Sequence, residues 1–314
     1  MKNKTEFKLS IVVPCYNEES NIEPTFSKLD STVSRLTKDY EIIFVDNGGT
    51  DGQLKMMTQV YQNNKSKVRI VSLSRNFGYQ MSISAGLEYS KGDAIIIIDA
   101  DLQDPPAMFE TFIDKWKEGY EVVYGLREKR RGSFFMRPFY YIFYKIFYWT
   151  SDITVPQNAG EFGLISRNVA EKMLEMPETV RFIRGIRAWV GFKQIGIPYT
   201  RDSRSIGKSK FRFFETYSLA MDGLLSFSTR ILTFLTILGF LTTLFSVALI
   251  SYILYWRYDS GEVIPGYAAL MVTLSFFSGI IIMMIGISGA YIERIFLEVK
   301  RRPKFIVEDT IGFE

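Results

Sequence analysis

The sequence predicts an α/β domain followed by a two-helix transmembrane hairpin. Two observations carry this expectation. Between positions 9 and 124, five short runs rich in Ile and Val alternate with turns and helix-period segments, and near the C-terminus two uncharged apolar stretches follow, at 231–256 and 267–292. Short β-branched runs separated by helical patterns point to a parallel sheet covered by helices on both faces. With 314 residues, 47% apolar and 15% aromatic, the chain has room for one sizeable domain and a more hydrophobic appendage.

The five runs are 9–14, 41–46, 68–73, 94–99 and 121–124. Residues at the C-terminal ends of such strands are the ones to inspect, because open α/β sheets bind ligands there. After Gly125 the pattern changes. Positions 134–149 are mostly Phe, Tyr and Trp with Arg137 and Lys145 among them, the composition of a helix lying in a membrane interface; a core helix is the alternative. Positions 211–227 read as a second such helix leading into the first span. Each apolar stretch holds 26 residues without Asp, Glu, Lys or Arg. As a helix it would run roughly 39 Å, enough for a hydrocarbon core of about 30 Å.

The short connection at 257–266 contains Pro265, and the segment after the second span carries Arg294, Lys300, Arg301, Arg302 and Lys304. The positive-inside rule then places both ends of the hairpin in the cytoplasm. The expected organisation is a cytosolic domain at 1–210, an interfacial linking helix at 211–230, the hairpin at 231–292 and a cytosolic tail at 293–314. The apolar run at the N-terminus, 9–13, is too short for a signal peptide. Cys15 is the only cysteine, which excludes an intrachain disulfide and suits a reducing compartment. The net charge of +4 is mild, but Lys129, Arg130, Arg131, Arg137 and Lys145 crowd the aromatic region. That placement favours anionic lipid or phosphate over nucleic acid as partner.

The strongest chemical signal is Asp-Ala-Asp-Leu-Gln-Asp-Pro-Pro at 99–106, directly after the fourth run. Two carboxylates one residue apart at a strand end can hold Mg²⁺ or Mn²⁺ through oxygen ligands, with phosphate and water completing the shell. A cation there would neutralise a diphosphate leaving group; the alternative is an acidic turn capping the next helix. Pro14, Tyr16, Asn17 and Glu18 follow the first run, and Asp46 and Asn47 follow the second. An aromatic ring with acceptors can stack and hydrogen-bond a base and ribose, while ordinary turn and N-cap chemistry remains open for them.

These blocks, with Ser-Arg-Asn-Phe-Gly at 74–78, Ala-Trp-Val-Gly-Phe at 188–192, Arg-Ser-Ile-Gly-Lys-Ser-Lys-Phe at 204–211 and the terminal hairpin, make the chain resemble the family 2 inverting glycosyltransferases of GT-A fold. The similarity is to those acting on polyprenyl phosphates, related to bactoprenol glucosyltransferase and dolichyl-phosphate mannose synthase. The resemblance implies a Rossmann-like nucleotide-sugar domain in which Asp99, Asp101 and Gln103 surround the metal and diphosphate. Pro14, Tyr16, Glu18 and Asp46 would hold the nucleoside. Arg127 and Arg137 would bind the acceptor phosphate, and Arg204, Ser209 and Lys210 would belong to a loop closing over the diphosphate. Arg and Lys are side chains suited to phosphate oxygens, a solvated surface cation being the alternative for each.

The expected reaction is transfer of a sugar, glucose from UDP-glucose first, to undecaprenyl phosphate at the inner membrane. Glu161 is expected to position sugar or acceptor. The resemblance also implies a homo-oligomer, with a tetramer as the model. Other donors, another lipid or polysaccharide acceptor, and a nonenzymatic nucleotide-binding scaffold are the competing readings. The scaffold is motivated by departures from the family pattern: Asn47 and Gly49 where Asp and Ser are usual, Glu161 for Asp, and Gly163 for Arg.

Overall fold

The computed structural model describes residues 6–128, 156, 158–201, 230–260 and 266–313. Among them an eight-stranded mixed sheet forms the centre, in the order β7-β5-β6-β4-β1-β2-β3-β8. The strands are β1 (Leu9–Cys15), β2 (Tyr40–Asp46), β3 (Val68–Leu73), β4 (Ala94–Ile97), β5 (Val122–Arg127), β6 (Ala159–Ser166), β7 (Gln194–Tyr199) and β8 (Val307–Ile311).

All five strands foreseen from Ile and Val runs are present and point the same way. β1 pairs in parallel with β2 and β4, and β2 with β3. β6 lies between β4 and β5 and is antiparallel to both. The parallel pairing expected from the sequence holds for β1 to β4, and β6 and β8 make the sheet a mixed one.

Alternate residues along each strand face opposite sides. Leu9, Ile11, Val13 and Cys15 of β1 pack with α1 (Glu19–Val33), α2 (Gln53–Asn63) and α4 (Met108–Lys117) through Ile22, Leu29, Met57, Phe109 and Phe112. Val12, Ile43 and Val45 face the other layer, built from α3 (Tyr79–Tyr89), α5 (Arg167–Glu175) and α6 (Ile183–Trp189) through Ile83, Leu87, Val169, Met173 and Ile186. Burial on both faces explains why these strands read as continuous apolar runs rather than alternating ones.

A polar network closes the N-terminal ends of β1 and β2. Glu41, 2% exposed, accepts from the Ser10 hydroxyl at 2.7 Å and from the Lys91 N–H at 2.7 Å, and it pairs with the Lys8 ammonium at 2.9 Å. Burial alone would raise its carboxyl, but these donors together hold it below the ordinary glutamate value.

Two long apolar helices follow, α7 (Arg230–Ser260) and α8 (Tyr267–Val299). Each contains a stretch long and apolar enough to cross a membrane, Leu232–Ile253 and Phe276–Val299. The second stretch overlaps the expected 267–292, and α8 continues past residue 292 through Glu293, Arg294 and Glu298. After α8 the chain returns to the sheet. β8 pairs antiparallel with β3, and Phe305, Val307 and Phe313 pack on the second core layer.

Candidate active site

The C-terminal ends of β1, β2, β4, β5 and β7 and the start of the antiparallel β6 meet at one edge of the sheet. Asp99 lies two residues beyond Ile97, and Glu161 lies two before Gly163, the partner of Ile97. The two carboxylates therefore stand on neighbouring strands at the same end.

The turn after β4 is acidic and tightly wound. Leu102 takes a positive φ of 52°, uncommon outside glycine, and the Gln103 N–H donates to Asp101 Oδ1 at 3.1 Å. Asp104, 1% exposed, accepts from the Tyr199 hydroxyl at 2.5 Å and lies 3.0 Å from Arg201 Nε and 3.8 Å from an Arg127 Nη. Arg201 also reaches Asp99 at 3.4 Å, and the Tyr79 hydroxyl donates to the other Asp99 oxygen at 2.5 Å.

Burial, then the charges of Asp104 and Asp101, push the Asp99 carboxyl up to about 7, and Tyr79 and Arg201 offset this only in part. The turn is thus short of positive charge, which is the donor chemistry a hard divalent cation fits. Among the described residues no three His, Cys, Asp or Glu side chains form a ready metal cage. Further ligands would come from substrate and water, as hard cations at phosphate sites commonly use.

Across the cleft, Glu161 is 5% exposed. One of its oxygens accepts from Arg184 Nε at 2.7 Å and from Gln80 Nε2 at 3.2 Å. Burial works against ionisation, yet Arg184 and Gln80 hold the Glu161 carboxyl below the ordinary value, so it stays a carboxylate and a weak base. Burial lowers the neighbouring Arg187 to about 10, which leaves it cationic at neutral pH, and its guanidinium lies 4.8 Å from the centre of the Tyr124 ring.

At the β1 and β2 ends, Pro14 is buried, Tyr16 is 38% exposed at the rim and Glu18 is half-buried. Asp46 is consumed from within: one oxygen accepts from Gly49 N–H at 3.0 Å and from Gln53 Nε2, the other from the Ser72 hydroxyl at 3.0 Å. Its evident work is to shape the loop beside the rim. Asn47 donates to Asn76 Oδ1 at 3.0 Å and accepts from the Phe77 N–H at 3.0 Å, a pairing of donor and acceptor that an aspartate could not make. Gly48 has φ of 64°, and a Cβ there would lie 2.4 Å from the Arg75 backbone. At Gly163 a Cβ would lie 2.5 Å from the Val123 carbonyl oxygen, so glycine lets β5 and β6 approach. Asn47 and Gly163 thus have packing reasons of their own.

Of the residues singled out from sequence, the structure brings Asp99, Asp101, Gln103, Glu161 and Arg127 to one cleft and puts Tyr16, Glu18 and Asp46 along its rim. Arg137, Arg204, Ser209 and Lys210 lie outside the described residues. Sequence reasoning missed Tyr79, Gln80, Asp104, Arg184, Tyr199 and Arg201. Asp104 had a signal, a third carboxylate in the same acidic turn; the others reach the cleft only through tertiary folding.

The family model described as glycosyl transferase family 2 matches residues 10–174. An uncharacterized glycosyltransferase of Synechocystis sp. is 40% identical over 98% of this chain and 96% of its own length. A prophage bactoprenol glucosyl transferase homolog of Escherichia coli is 36% identical over 96% of this chain and 98% of its own. Among solved structures, a mannosyltransferase from Pyrobaculum calidifontis in complex with GDP-Man and Mn²⁺ aligns over 66% of this chain and 60% of its own, with 19% identity and a TM-score of 0.47.

Proposed function

From the premise that the chain belongs to glycosyl transferase family 2, we propose that it transfers a sugar from a nucleotide donor to the phosphate of a polyprenyl carrier at the cytoplasmic membrane face. Glucose from UDP-glucose is the first donor to test. The observation that carries this reading is the acidic turn at Asp99, Asp101 and Asp104, faced by Arg127 and Arg201, in a chain that also has two apolar helices of membrane-spanning length. The similarity to a bactoprenol glucosyl transferase homolog over nearly the whole length, hairpin included, supports the lipid acceptor.

The chemistry is a single displacement with inversion. An acceptor phosphate oxygen forms a bond to the anomeric carbon while the bond from that carbon to the diphosphate oxygen breaks, its electron pair leaving with the diphosphate. Mg²⁺ or Mn²⁺ held by Asp99 and Asp101, with Gln103 beside them, would supply charge neutralisation at the leaving group. The acceptor phosphate is already ionised near neutral pH, so no strong base is needed. This agrees with a Glu161 kept ionised by Arg184. Glu161 acts by orienting a hydroxyl of the sugar or the acceptor, Arg127 meets the acceptor phosphate together with Arg137, and Tyr16, Glu18 and Pro14 form the nucleoside rim. Arg204, Ser209 and Lys210 close over the diphosphate.

Membrane topology follows the same logic. Membership of β8 in the same sheet as β1 to β7 supports a topology in which the chain after α8 is on the same side of the bilayer as the cleft, which two crossings satisfy and one does not. Incubating the purified chain and undecaprenyl phosphate with a panel of UDP- and GDP-sugars, and reading the lipid product by mass spectrometry, tests the proposal. A hexosyl phosphoryl lipid from UDP-glucose is expected. A sugar found on a diacylglycerol or on no lipid at all rejects it.

A further inference from the structure

The polar anchoring of the cleft extends beyond it. The stretch from Met176 to Arg184, which comprises the connection after α5 and the first two residues of α6, is held by different parts of the molecule. At the end far from the cleft, Thr179 donates its backbone N–H and its hydroxyl to the two oxygens of Glu298, at 2.8 and 3.1 Å, in the last turn of α8. Lys304, just past α8, donates to the carbonyl of Met176 and lies 3.5 Å from that of Leu174. Arg181, 3% exposed, donates to the carbonyls of Met173 and Met176. The two cations thereby satisfy carbonyls that the C-terminus of α5 leaves open, where the helix dipole favours positive charge.

At the near end, Ile183 donates its backbone N–H to Gln80 Oε1 at 2.9 Å, and the same Gln80 amide donates to Glu161. Arg184 donates to Glu161 directly. One short stretch therefore joins the end of the second apolar helix to the ionised carboxylate of the cleft, by two routes.

We propose that 176–184 is a positioning element: its anchorage on Glu298 and Lys304 sets Arg184 and Gln80 against Glu161, so that the cleft reaches its working geometry only with the hairpin end and tail docked. Arg184 and Gln80 are positioning residues here, and Glu298 and Lys304 act on them from outside the cleft. The kinetic arm of this inference rests on the glycosyl-transfer reading, whereas its exchange arm does not.

The test uses the full chain in lipid discs with Glu298→Ala, a change at an exposed helical position where alanine is a good helix former. Hydrogen exchange is expected to quicken at Ile183 as well as Thr179. Turnover is expected to fall about five-fold with donor KM unchanged, and no further fall should follow when Glu298→Ala is added to Arg184→Lys, the signature of coupled sites. Lys304→Met should reproduce the exchange change. Unchanged protection at Ile183, or equal losses of turnover in both backgrounds, overturns the inference. If the wild-type chain transfers no sugar, the proposed function fails and the exchange arm alone decides.

Discussion

Among single residues, Asp99 is the carboxylate whose environment is most unusual. It sits beside two further carboxylates, with burial and their charges pushing it up to about 7. In the metal-free protein a cation must therefore displace a proton there at low pH. Loss of the carboxylate form between about pH 8 and about pH 6 should weaken Mn²⁺ binding by about tenfold, with proton release on binding, as for any ligand that must be deprotonated. Calorimetric titration of Mn²⁺ into the full-length protein at the two pH values checks this, and an affinity that stays flat contradicts it. Asp99 and Asp101 were legible in the sequence because position after a buried strand is a local property. Tyr199 and Arg201 were not, because what brings them to Asp104 is the pairing of β7 with β5, between residues far apart in the chain. Gln80 and Arg184 lie just inside helices, where nothing local distinguishes a residue that reaches a buried Glu161 from one that faces solvent.

At the scale of elements, the parallel strands announced themselves through apolar runs, and the remaining strands did not for physical reasons. β6 carries Gly160 and Gly163, the second required by close approach to β5, and β7 is an edge strand broken by Gly196 and Pro198. β8 sets Glu308, Asp309 and Thr310 between Val307 and Ile311, a composition suited to an exposed sheet edge and easily read as a polar tail. The network at Glu41 joins β1, β2 and the turn before β4, and it makes a stability prediction. Its folded pKa lies below the ordinary 4.5, so its contribution is fully present above that value and is lost as pH falls through the folded pKa. Glu41→Gln should destabilise the protein by about 1–3 kcal/mol at neutral pH, and the gap to wild type should shrink on acidification below about pH 4.5. Thermal unfolding in detergent across that range measures it. A gap that widens in acid contradicts the assignment.

At the scale of the molecule, the return of the tail to the sheet ties topology to fold. The proposed arrangement puts the connection between α7 and α8 on the far side of the membrane and β8 on the side of the cleft. With Cys15 buried and silent, Glu262→Cys should react with an impermeant maleimide only from outside intact cells, and Glu308→Cys only after permeabilisation. Labelling of both from the same side contradicts a hairpin. Such an arrangement would let the proposed acceptor keep its long tail in the bilayer while its phosphate reached Arg127. Apolar length foretold the two helices; that the chain after them completes the catalytic sheet was visible only in three dimensions.

The most direct measurement is the movement of labelled glucose from UDP-glucose into the lipid phase by the purified chain in bilayers containing undecaprenyl phosphate and Mn²⁺. The wild-type chain should label the lipid, and Asp101→Ala, with unchanged circular dichroism, should lose about three orders of magnitude in rate, the scale of a lost electrostatic group at a reacting centre. Transfer by Asp101→Ala at the wild-type rate, or no transfer by the wild-type chain from any nucleotide sugar, would contradict the account.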